Sequence, residues 1–162
     1  MTNLKALLKT RLKGPGKIAL LAVGSELRGD DAAGLMVAAA VAKKTSSRRL
    51  KIFLGATAPE NLTGEIRAFG PKHIIIVDTA EMKEPPGTVL LLKPEDLSKD
   101  ITFSTHKMPA EVLIEYFIKS LGSSITFIGI QPATLKFGAK ASADVRRSAN
   151  EVASAIVSSL EA

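Results

Sequence analysis

The sequence predicts an α/β fold, a three-layer α/β/α sandwich around a mostly parallel sheet with room for one antiparallel strand. Three observations predict it. Short apolar runs alternate with helix-length amphipathic stretches from residue 17 onward. Two of those runs, KIALLAV (17–23) and HIIIVD (73–78), are apolar almost throughout, as strands covered on both faces are. One run, GTVLLL (87–92), follows its predecessor too closely for the helical crossover that parallel neighbours require. A chain of 162 residues is expected to form a single domain, able to bury roughly 70% of its unfolded surface. Residues 1–16 read as a basic helical appendage and 17–162 as the domain proper.

The elements follow in order. Residues 3–12 (NLKALLKTRL) place Leu4, Leu7, Leu8 and Leu12 on one helical face, and KGPG ends that helix. The strand over 17–23 leads into VGSELRGDDAAG, a junction with two adjacent aspartates framed by glycines. A helix over 30–44 comes next, with Asp30 or Asp31 as its N-cap and lysines at its C-terminal end. LKIFLGA (50–56) reads as a strand, and PENLTGEIRAFG (59–70) as a helix with Pro59 in its first turn and Gly70 at its end. HIIIVD is strongly β-branched and predicts a central strand ending at Asp78; GTVLLL is the next strand, introduced by the turn EPPG. KMPAEVLIEYFIKSLG (107–122) carries Val112, Leu113, Tyr116 and Phe117 at helical spacing, with Pro109 in the first turn. SITFIGIQP predicts a further strand, and 139–161 a final helix that buries Val145, Val152, Ile156 and Leu160.

Composition narrows the chemistry. There is no cysteine, so disulfides, thiolate metal sites and a cysteine nucleophile are excluded, and any metal must be held by His, Asp or Glu. The net charge is +6, but Lys5, Lys9, Arg11, Lys13 and Lys17 supply five positive charges in a segment without acids. With six Phe, one Tyr and no Trp, no basic stripe is interleaved with aromatics, so a solvated basic helix is expected rather than a nucleic acid partner. No apolar run approaches the roughly 20 residues that span a bilayer, and the N-terminus lacks the apolar core of a secretory signal. A cytoplasmic monomer without membrane insertion is the expectation.

Ligands of such folds bind outside the carboxyl ends of the strands, where loops converge. Asp31 follows the first strand, Asp78 terminates the third, and His106, in STHKMP, precedes a helix. Two carboxylates and an imidazole on three loops can enclose a divalent metal and leave positions open; this donor set suits nickel or zinc, and spacing does not separate them. Each residue also has a plain structural role open to it: one aspartate can cap a helix, Asp78 can close a strand, and His106 can be a hydrogen-bonded residue at a helix start. Gly24 and Gly29 would let the loop turn sharply and approach a ligand. His73, at the start of its strand, belongs to the opposite end of the sheet. GSELRG lacks the ending of a P-loop and the spacing of a dinucleotide site, and Ser25 is not in a nucleophile elbow. A triad of Ser25, His106 and Asp78 has nothing specific behind it.

AVGSELRGDDAAG, IIIVDTAEM, STHKMP and FIGIQP, in that order and spacing, resemble the nickel-iron hydrogenase maturation endopeptidases over roughly residues 17–160. THKMP and GIQP look most like the branch serving formate-hydrogenlyase-type hydrogenases. The resemblance implies removal of a short C-terminal extension from a hydrogenase large-subunit precursor after nickel insertion, with residues 17–162 as the protease domain. It also implies that the nickel-loaded precursor is the partner, and that nickel comes with the substrate and is not resident. Carried over, the acidic ligand of the first motif falls on Asp31, the strand aspartate on Asp78 and the histidine on His106; Asp31 or Asp78 would be the general base, and Asp30 would shape the loop with Gly24 and Gly29. Two features depart from the family pattern. Ser25, followed by Glu26, stands where Asn is usual, and Asp31 is Glu in many relatives. The rival readings are a noncatalytic metal-binding or assembly module, and another hydrolase that uses a metal or a serine.

Overall fold

The computed structural model describes residues 2–97, 101–103 and 109–161. Its strands are β1 (Ile18–Val23), β2 (Leu50–Ala56), β3 (His73–Glu81), β4 (Val89–Leu92), β5 (Thr102–Phe103) and β6 (Ser124–Ile130). Its helices are α1 (Thr2–Arg11), α2 (Ala33–Lys44), α3 (Thr63–Phe69), α4 (Ala110–Leu121) and α5 (Ala143–Leu160). The main sheet has the order β2-β1-β3-β6-β4, with β4 the antiparallel edge strand that its short connection foretold.

Strand apolarity follows from two-sided cover. All six residues of β1 are buried, because α1, α2 and α5 pack on the face of Leu20, Ile75 and Val77 while α3 and α4 pack on that of Leu21, Ile74 and Ile76. The three-layer α/β/α sandwich is therefore the observed architecture. In the order β2-β1-β3 the chain winds one way from β1 and returns on its other side, so the carboxyl ends of β1 and β3 adjoin at a topological switch point.

Several expectations are corrected. Residues 29–32 form a 3-10 turn, α2 starts at Ala33, and neither aspartate caps it with its side chain. Strand β3 runs three residues past Asp78, because Ala80 and Glu81 pair antiparallel with Phe103 and Thr102 of β5, a two-residue strand with no periodicity to betray it. The final helix begins at Ala143, four residues later than expected. Val112 is exposed, and Ile114 joins Leu113 and Phe117 in the core. Helix α1, read as an appendage, places Leu4, Leu8 and Leu12 in the core beside α5; the buried seam has a spacing of four, which leaves Leu7 on its flank and exposed.

Candidate active site at the switch point

The junction VGSELRGDDAAG is built by its glycines. Gly24 has φ +140°, and a Cβ there would lie 1.9 Å from the Asp31 carbonyl oxygen; its N–H donates to Ala56 O at 2.8 Å, and Ser25 N–H donates to Asp31 O at 3.1 Å. The loop thus closes on itself at Asp31. Gly29, also with positive φ, abuts Thr134 O, and its N–H donates to Ala139 O. Gly34 lets the first turn of α2 press onto the sheet, since a Cβ would meet Val23 O at 2.4 Å and Val77 O at 2.5 Å.

The two aspartates divide their work. Asp30 is fully buried, and its carboxylate accepts from Ser142 N at 2.5 Å, Ser142 Oγ at 3.0 Å, Ala133 N at 2.8 Å and Thr134 N at 3.2 Å. Four donors satisfy a buried carboxylate, and the N-terminus of α5, capped by Ser142, favours its charge. Asp30 therefore shapes the loop, as expected, but by stapling it to the segment after β6.

Asp31 is 3% exposed and Asp78 2%. They approach from opposite faces of the sheet: Asp31 lies in the turn into α2, while Asp78 shares the face of Ile74 and Ile76 on the other side. Thr79 joins them. Its hydroxyl donates to Asp31 Oδ1 at 2.9 Å and lies 3.5 Å from Asp78 Oδ1, and its backbone N–H donates to Asp78 Oδ1 at 2.8 Å. The single hydroxyl proton is directed at Asp31, and the main chain holds Asp78. Two oriented carboxylates at a switch point can bind a divalent cation or take a proton from water.

Thr79 was not foreseen; its one signal is a hydroxyl directly after the aspartate in a largely apolar strand. Gln131 was missed as well, although it lies in FIGIQP. Its Oε1 accepts from Met82 N at 2.7 Å and Glu84 N at 3.3 Å, and its Nε2 donates to Glu81 Oε2 at 2.8 Å, which fixes the exit from β3. Ser25 Oγ accepts from Leu27 N at 3.2 Å in a local turn, and Glu26 is exposed beside it. His106 lies outside the described residues, as does the rest of STHKM. Among the described residues no group of three or more His, Asp or Glu side chains is arranged to hold a metal. His73 sits at the amino end of the sheet, beside a cavity of about 600 Å³ bordered by Arg11, Lys17, Arg49 and Lys72; among the described residues no carboxylate lines its wall.

Sheet order and paired acids define a doubly wound α/β protein with a two-carboxylate site at its switch point. Residues 36–159 match the family model described as HycI, hydrogenase maturation protease. The chain belongs to that family, and so to the peptide hydrolases. It is 36% identical over 118 residues to the hydrogenase 3 maturation protease of Escherichia coli K12, covering 73% of this chain and 74% of that one. The crystal structure of a NiFe hydrogenase maturation protease, HycI from Thermococcus kodakarensis, superposes with a TM-score of 0.88 at 26% identity, over 96% of this chain and 99% of that one. The solution structure of an endopeptidase HycI from Escherichia coli gives 0.75 at 30% identity, over 85% and 87%.

Proposed function

We propose that this protein is the endopeptidase that removes a C-terminal extension from the large-subunit precursor of a nickel-iron hydrogenase, after nickel insertion, with the substrate's nickel as its recognition element. The observation that carries the reading is the convergence of Asp31 and Asp78 on Thr79 at the switch point, in a chain of the maturation protease family. Hard carboxylate oxygens suit a divalent cation. In this reading Asp31, Asp78 and His106 reach the nickel where it sits in the precursor and so bring the scissile bond to the carboxylates. An unloaded precursor makes no such contact and is spared.

Hydrolysis then needs one base. A carboxylate takes a proton from water as the oxygen attacks the scissile carbonyl, the C–N bond breaks, and the proton passes to the leaving amine. The pinned Thr79 hydroxyl keeps Asp31 in one orientation, which favours it for positioned chemistry. A serine mechanism draws no support from Ser25, whose oxygen is engaged in its own turn. The work is expected to take place in the cytoplasm, with the enzyme a monomer.

The test is the intact mass of a purified cognate precursor, nickel-loaded or nickel-free, after incubation with the protein. Loss of a C-terminal fragment from the loaded sample alone is expected. Loss from both would discard the nickel requirement, and loss from neither would favour an assembly module. Asp31→Ala and His106→Ala should each abolish processing with the fold retained by circular dichroism; processing by either variant would remove that residue from the mechanism.

A further inference from the structure

Among the described residues, the three most exposed large apolar side chains are Phe137 at 69%, Leu27 at 63% and Leu54 at 62%. Scattered exposed apolar residues are ordinary on a protein surface. These three are not scattered. Leu27 lies in the junction that carries Asp31, Phe137 in the segment after β6, and Leu54 near the carboxyl end of β2. The other two segments are both hydrogen-bonded to the junction: Gly138 N donates to Leu27 O at 2.8 Å, Gly29 N to Ala139 O at 3.1 Å, and Gly24 N to Ala56 O at 2.8 Å. The Asp30 staple adds four further bonds between the first two.

Apolar side chains displayed on a pinned backbone lose little conformational freedom on binding, which is the condition for effective anchors. The surrounding charge is one-sided. Arg28, Lys136 and Lys140 are exposed on the two loops, against one exposed acid, Glu26.

We infer that Leu27, Leu54 and Phe137 form the docking surface for the protein substrate of the adjacent carboxylate site, and that the partner meets it with an apolar patch bordered by carboxylates. The inference rests on the endopeptidase reading for the partner's identity. Leu27 belongs to the same junction as Asp31, and Phe137 to the segment stapled to that junction, so the surface adjoins the site. The apolar residues supply affinity, while the basic border speeds encounter and makes it sensitive to ionic strength.

The experiment compares the wild-type chain with Phe137→Ser, with the triple variant Leu27→Ser, Leu54→Ser, Phe137→Ser, and with Leu7→Ser, an exposed leucine of α1 remote from the junction. Two readouts are taken with a purified nickel-loaded precursor: binding by biolayer interferometry, and kcat and KM for fragment release. The triple variant should raise Kd and KM at least about tenfold with kcat nearly unchanged, Phe137→Ser should give part of that loss, and Leu7→Ser should match wild type. Because the three side chains are exposed, melting temperatures should stay close to wild type; if the triple variant melts early, Phe137→Ser alone decides. Wild-type affinity in the variants overturns the docking surface and leaves the endopeptidase reading standing. Wild-type binding without cleavage that the variants lose upholds the surface and removes the endopeptidase reading. No binding by wild type overturns both, and a wild-type dimer that Phe137→Ser dissociates would give the face to a second copy and overturn the inference.

Discussion

His73 shows how a single side chain sets pH behaviour far from the site. Arg11 donates to Thr126 Oγ1 at 3.1 Å, and the same hydroxyl is hydrogen-bonded to His73 Nε2 at 2.8 Å, in the direction that the imidazole tautomer sets. Burial, with the Arg11 charge adding to it, lowers the His73 pKa from 6.5 to about 4. Between those values the unfolded chain binds the proton and the folded one does not, so the contribution is complete above pH 6.5 and is lost as pH falls toward 4. The full loss is on the order of 3 kcal/mol. Urea midpoints at pH 7 and 4.5 should therefore converge in His73→Gln relative to wild type; an equal acid loss in both proteins would place the sensitivity elsewhere. At this scale the sequence reveals residue types but not partners. Asp31 and Asp78 stood out as carboxylates after strands, whereas Thr79 and the four donors to Asp30 come from contacts between distant segments, which no local pattern encodes.

Elements were legible by kind and less so at their ends. Alternating apolar runs located the longer strands and each helix, since periodicity survives in a window of ten residues. Boundaries failed where a nonlocal bond decided them: β5 lengthened β3 beyond Asp78, and the staple to Ser142 drew Asp30 away from capping its own helix. The start of α2 is the most constrained of these ends. With Val23 O and Val77 O within 2.5 Å of a Cβ at position 34, Gly34→Ala must push the helix away from the sheet and carry Asp31 with it. A cost of about 1–3 kcal/mol is expected for such overpacking, together with a fall in kcat larger than the change in melting temperature would explain. Thermal melts and cleavage rates measured on one preparation check both; unchanged activity would show that the displacement stops short of Asp31.

Over the whole molecule, short connections and alternation made the three-layer arrangement legible. The place of α1 was not, because a ten-residue amphipathic helix does not name the surface it will cover. Its seam of Leu4, Leu8 and Leu12 closes the core over α5. Leu8→Ala should lower unfolding free energy by about 2–5 kcal/mol, read from denaturant curves. A loss below about 0.5 kcal/mol would return α1 to the status of an appendage. The Asp30 staple has a consequence at this scale too. It binds together two loops more than a hundred positions apart in the chain, so neither can change length or conformation alone without moving the acid beside it. Retargeting the enzyme to a different client is therefore a transplant of both loops as one cassette, and a chimera that exchanges only one inherits a mismatched hinge in place of a new specificity.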